Sequence, residues 1–248
     1  MLVVKTLGAP ERRLLRGRRP RRVEADPPPV AVSTTRVTVV DAAPLVNDGA
    51  AAAWLKSADA EALVGEALRT LNRVVHLHRV AAADAAPRDV NRDQALVVRV
   101  GYGTGEDVAE GRFQQALEVP PPRTRARRTA ALRPQERLAA LLSGRDVALA
   151  CEELALTART DVDGGRAREA ALVLPGALAA AISELEPWAD RGDLRSRLDE
   201  LAGLRAEVQR TYDSALDGGL DDAEATSVDG VLKRLEAALR ARTASGLE

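Results

Sequence analysis

The sequence predicts an α+β chain, predominantly helical, in which a small α/β domain precedes an all-α antiparallel bundle or a set of stacked helical hairpins. Three observations predict it. The strand-like runs, "RVTVV" at 36–40 and "ALVVRVGY" at 95–102, both fall in the first half. From Pro134 onward the apolar residues recur at three- and four-residue spacing. Between these regions, and before the first strand, lie stretches dense in proline and arginine.

Cutting at those stretches exposes an uneven charge distribution beneath a net charge of -1. Residues 1–29 carry net +5, residues 30–119 net -3, residues 120–133 net +5 and residues 134–248 net -8. Residues 1–29, with "ERRLLRGRRPRR" and "DPPP", predict a disordered basic arm, because Pro20 and the later prolines break a helix and like charges resist compaction. Residues 30–119 form the small α/β domain. Strand 36–40 is followed by a helix from about Gly49 to Ala83, with Asp48 as its cap and Trp54, Leu55, Leu63, Leu68, Leu71, Val75 and Leu77 as its apolar positions. Strand 95–102, continuous in its apolar character at first, reads as an inner strand. Residues 120–133, within "VPPPRTRARRTAALRP", read as an extended basic linker.

Residues 134–242 then divide into five helices. Pro134 opens the first and Gly144 closes it. "RDVALACEELALTART" is the second, and "RAREAALVLPGALAAAISELE" the third, bent or broken at Pro175. "DLRSRLDELAGLRAEVQRTYDSALDGG" reads as one long helix from Asp193 to Gly218, with a stripe of Leu194, Leu198, Leu201, Leu204, Val208, Tyr212 and Leu216. The last spans about 222–241.

Within this region "LACEELALTARTDVDGGRAREAALVLPGAL" resembles one tetratricopeptide unit over about thirty residues: counted from Gly165, small residues Ala158, Ala170 and Ala177 occupy that family's close-packing positions. The resemblance implies a helical hairpin and hints at peptide or protein binding.

The composition bounds the chemistry. Hydrophobic residues are 46% of the chain and aromatics 2%, so leucine, valine and alanine must build the core. Three lysines among 36 basic residues, with abundant alanine, indicate a bacterial-type, G- and C-rich coding bias, which is by itself a source of arginine clusters. The single Cys151 forbids an intramolecular disulfide and fits a reducing compartment. With no long apolar run and no signal-like start, the expected location is cytoplasmic.

"VRVGYGTGED" at 98–107 invites a phosphate-loop reading, but no Lys-Ser/Thr pair follows its last glycine and Glu106 and Asp107 would repel phosphate. The glycines predict a tight turn or bulge instead. "DVDGG" lacks the remaining ligands of a calcium loop, and no Cys/His set exists for zinc, so no metal and no cofactor are expected. In "RTLNRVVHLHR", four residues separate Arg73 from His78 and six separate Arg69 from His76. Both spacings are similar to the Rx4-6H motif of HEPN-type ribonucleases, whose arginine and histidine line a dimer cleft and cut RNA without metal; Arg69, followed by Thr70, keeps the polar residue that motif carries.

Arginines in the two basic stretches are candidate nucleic-acid contacts: Arg12, Arg13, Arg16, Arg18, Arg19, Arg21 and Arg22 in the first, and Arg123, Arg125, Arg127 and Arg128 in the second. The expected role is non-enzymatic: a protein-interaction or scaffold module acting through the helical domain, with a protein partner or self-association. A nucleic-acid-binding accessory protein is the first alternative and a metal-independent ribonuclease the second.

Overall fold

A computed structural model describes residues 1–8, 32–120 and 128–245 of the chain, without the side chains of 128–133 and of the last two of these residues. The chain divides into two compact units, Met1–Pro122 and Arg123–Glu248. The first is mixed α and β, the second all helical.

The first unit opens on a strand. Leu2–Leu7 (β1) pairs antiparallel with Thr34–Val39 (β2), from Leu2 against Val39 to Leu7 against Thr34. The predicted arm therefore begins as sheet: "LVVKTL" has the β-branched content of a strand and finds its partner in "TTRVTV" across a long connection.

The predicted long helix is two helices, Asp48–Ser57 (α1) and Ala60–Ala82 (α2). The cap of α1 is Asn47, not Asp48: its Oδ1 accepts the Ala50 N–H at 2.8 Å. The break comes at Asp59, whose carboxylate accepts the Ala62 N–H at 3.0 Å and restarts the helix. Farther along α2, Asn72 clasps the returning chain, accepting the Val90 N–H at 2.7 Å and donating to the Val90 carbonyl at 3.1 Å.

Arg99–Tyr102 (β3) pairs with Gln115–Glu118 (β4) around a short helix, Gly105–Ala109 (α3). Here the expected inner strand is corrected: among the described residues β3 has one neighbour only, and Leu96 and Val97 before it are exposed. Gly101 sits opposite Ala116, where a Cβ would lie 2.4 Å from the Gln115 carbonyl oxygen, so only glycine fits. Gly105 takes φ +52 as the chain enters α3.

Among the described residues of the second unit six α-helices replace the predicted five: Arg128–Leu142 (α4), Ala150–Asp163 (α5), Ala167–Glu184 (α6), Leu194–Gly203 (α7), Arg205–Asp217 (α8) and Asp222–Ser245 (α9). α4 starts inside the predicted linker and contains Pro134 rather than beginning at it. α6 is not broken at Pro175; Ala171, Leu174, Ala177 and Leu178 are buried on either side of the proline, and that packing holds the helix together.

The predicted helix 193–218 divides at Leu204, where the Leu204 N–H turns back to the Leu201 carbonyl in a tighter turn. The division lets α7 pack on α9 while α8 packs on α6. It also turns Leu216, counted in the predicted stripe, out to solvent, while Leu194, Leu198, Leu201 and Val208 stay buried.

The continuous core lies in this unit, and α6 is its axis, with α5, α7, α8 and α9 packed around it. Ala158 of α5 and Ala170 and Ala177 of α6 have no exposed surface, so the small residues that resemble a tetratricopeptide hairpin do sit where two helices meet closely. Gly165, at φ +73, makes the turn between them. Replacing Leu174 of α6 by alanine is expected to lower the unfolding free energy by about 2–5 kcal/mol, whereas the same change at exposed Leu156 of α5 should stay within about 0.5 kcal/mol; denaturant titration of the two variants measures the difference.

Candidate functional site

Arg69, Arg73, His76 and His78 all lie on α2, where Arg69, Arg73 and His78 are exposed and His76 is half-buried. At about 100° per residue, Arg69 and His76 share a face two turns apart, while Arg73 and His78 diverge by roughly 140°. Among the described residues no hydrogen bond joins any of these side chains to another polar group. The two histidines point to different sides of the helix. Among the described residues, no group of three His, Cys, Asp or Glu side chains could hold a metal ion.

The glycine stretch is a close strand crossing that leads into α3, whose first turn holds Glu106 and Asp107. Glu110, just after α3, accepts from Lys5 of β1 at 2.6 Å and from Arg36 of β2 at 3.0 Å, so both strands are tied to one carboxylate. Lys5, and then Arg36, hold the Glu110 carboxyl below its ordinary value.

Two hollows flank the β3/β4 hairpin. One, of about 170 Å³, lies among Arg92, Asp93, Leu96, Val98, Glu118 and Val119. Arg92 crosses it to donate to the Val119 carbonyl at 2.5 Å. That volume is below the roughly 300–1,000 Å³ of typical ligand pockets. The other, of about 450 Å³, is an open depression between the start of α1 and Tyr102, Gln114 and Gln115.

Ionisable groups converge more densely in the helical unit. Arg242 of α9 is only 4% exposed. It donates to both oxygens of Asp146 at 2.5 and 3.4 Å and lies 3.8 Å from Glu152 of α5, with Trp188 4.7 Å beneath its guanidinium. Arg137 of α4 closes the group, reaching Asp146 at 3.3 Å and Glu152 at 2.5 Å. Two arginines and two carboxylates thus neutralise one another at the joint of α4, α5 and α9. Burial works to raise the Asp146 carboxyl, but the Val147 N–H and the two guanidiniums outweigh it and hold the group below 3.8.

A second clamp joins α5 to α9. Arg159 grips Glu236 with two bonds at 2.7 and 3.2 Å and Asp229 at 2.9 Å. Cys151, without exposed surface, has its thiol pushed up to about 12 by burial and by Glu184, which also accepts the Ala150 and Cys151 N–H groups at the start of α5. That thiol is a packing group and not a nucleophile at neutral pH.

Alongside its exposed charges, the helical unit turns some apolar side chains outward. Leu138 and Leu142, one turn apart on α4, are 55% and 80% exposed, and Val147 and Leu156 are exposed as well. The candidate arginines 12, 13, 16, 18, 19, 21, 22, 123, 125 and 127 lie outside the described residues, and Arg128 is placed only by its backbone, at the start of α4. Among the described residues no helix is long and apolar enough to cross a membrane.

Arg242→Ala leaves Asp146 and Glu152 to Arg137 alone and removes the guanidinium packed on Trp188, and is expected to cost about 1.5–3 kcal/mol of stability at neutral pH. Because Asp146 titrates lower when folded, its contribution is complete above its unfolded value near 3.8 and is lost as pH falls through the lower folded value. The variant should therefore show a shallower acid limb than the parent in thermal melts run against pH. Comparison with family models, with curated proteins and with solved structures found no match to this chain.

Proposed function

We propose that the chain is a non-enzymatic interaction or assembly module that binds a protein partner through its helical unit. The observation that carries this reading is the apolar face of α4, Leu138 and Leu142, standing in solvent beside a unit whose buried charges are already paired. Leucines repeated at i and i+4 are how a helix presents itself to an apolar groove or to another helix. The resemblance of α5 and α6 to a tetratricopeptide hairpin supports the same role. A cytoplasmic setting agrees with the lone buried Cys151.

A second reading, binding of nucleic acid by the arginine-rich stretches, has one observation in its favour. Seven arginines between residues 12 and 22 fall in the connection between two strands that hydrogen-bond to each other, so that basic segment is tethered at both ends. Its contacts would be to phosphate and fall steeply with salt.

The double substitution Leu138→Glu with Leu142→Glu separates the readings. It should leave the helical circular dichroism unchanged and abolish retention of a defined protein partner by the immobilised chain. Undiminished retention would contradict the proposal, and co-purifying nucleic acid released by salt would favour the second reading.

A further inference from the structure

The ribbon of β1 and β2 is half of a sheet. Met1 and Val40 exchange two hydrogen bonds, Met1 N to Val40 O at 2.7 Å and Val40 N to Met1 O at 2.8 Å. In an antiparallel ladder bonded pairs alternate with non-bonded ones, so Val3, Lys5 and Leu7 also turn their main-chain groups to β2. Leu2, Val4 and Thr6 therefore aim their N–H and C=O groups away from it. No other described residue bonds to these six groups.

The two faces of the ribbon differ as sharply as its edges. Lys5 and Arg36, its only charged residues, share one face and are tied to Glu110. On the other face lie Leu2, Val4, Thr6, Thr35, Val37 and Val39, all uncharged, with Val4 58% exposed. Isolated two-stranded ribbons are marginal in water, and an open edge with an aliphatic face is a template for another strand.

We infer that the edge of β1 pairs antiparallel with the same edge of a second copy of this chain, about a twofold axis through Val4, giving a four-stranded sheet ordered β2–β1–β1–β2. The sequence of the edge makes it complementary to itself. With the axis at Val4, Val4 meets Val4 and Leu2 meets Thr6 of the second copy, which satisfies all six outward groups of each strand. The same register sets Lys5 opposite Val3 of the second copy. Moving the axis to Lys5 would oppose two lysines, and moving it to Val3 would leave Thr6 unpaired. The uncharged faces of the two ribbons then run on as one surface. This contact belongs to the first unit and stands or falls separately from the role of the helical unit.

Sedimentation velocity of the full chain, carrying any tag at its C-terminus, should show a concentration-dependent dimer of twice 26.4 kDa. Val4→Pro deletes an outward N–H while sparing the bonds to β2, and should weaken dimerisation about tenfold or more. Val4→Cys places two Cα atoms about 5.5 Å apart across the axis, within disulfide reach, so mild oxidation should yield a covalent dimer. Val37→Cys, on the same face of β2 but away from the axis, should cross-link far more slowly, and the parent not at all, since Cys151 has no exposed surface. A parent monomeric at every concentration, a Val4→Pro dimer as tight as the parent's, or equal cross-linking at positions 4 and 37 would overturn the inference.

Discussion

A helix whose middle carries no charged or polar side chain must be covered by other helices over most of its surface, and α6 is such a helix: between residues 170 and 181 only Gly176 and Ala179 are exposed. From Ala170 to Ala181 its residues are all alanine, leucine or valine but for one proline and one glycine. α5, α7, α8 and α9 are arranged around it because each carries a single apolar stripe and needs that surface. Alanines at 158, 170, 177 and 181 let the backbones approach closely, while Leu174, Leu185, Leu194, Leu201, Leu232 and Leu235 fill the volume that a core nearly free of aromatics leaves open. The unbroken course of α6 through Pro175 and the division of the chain at Leu204 both follow from the need to keep this helix covered.

Around that apolar axis the charges act as clamps. Arg242 and Arg137 with Asp146 and Glu152 fix the joint of α4, α5 and α9, and Arg159 with Glu236 and Asp229 fixes α5 to α9. Each guanidinium is satisfied by carboxylates from another segment, which is how a low-dielectric site tolerates full charges. The first unit is built on the opposite balance. Its fully buried apolar residues among those described are Ala51, Leu55, Val64 and Val119, and its ribbon, glycine crossing and hairpin depend on main-chain pairing and on the Glu110 clamp. The proposed contacts use the features these balances leave open: the strand edge of the first unit and the exposed leucine pair of the second.

Much of the helical unit was legible because its information is local. Gly165, the DVDGG turn and the stripe through Leu194, Leu198 and Leu201 mark helices and their ends directly. Breaks within helices were harder to see. Asp59 looks like one more polar residue on a helix until its carboxylate is found capping Ala62, and Leu204 continues the stripe perfectly well until α7 and α8 are seen to serve different neighbours. Strand β1 is hard to see because its partner begins only at Thr34, far beyond its end at Leu7, and its proline- and arginine-rich surroundings dominate the composition. The ion-pair joint was illegible for a related reason: Arg137, Asp146, Glu152 and Arg242 span more than a hundred residues, and no pattern at that distance distinguishes a buried arginine from a solvated one.

Native-state amide hydrogen exchange tests the centrality of α6 most directly. If α6 is the axis on which the helical unit depends, its amides between Leu174 and Ile182 should be the slowest in that unit and exchange only through its global unfolding, while those of α4, which lies outside the main core, open at far lower free energy. Exchange from the centre of α6 as fast as from α4 would contradict the account.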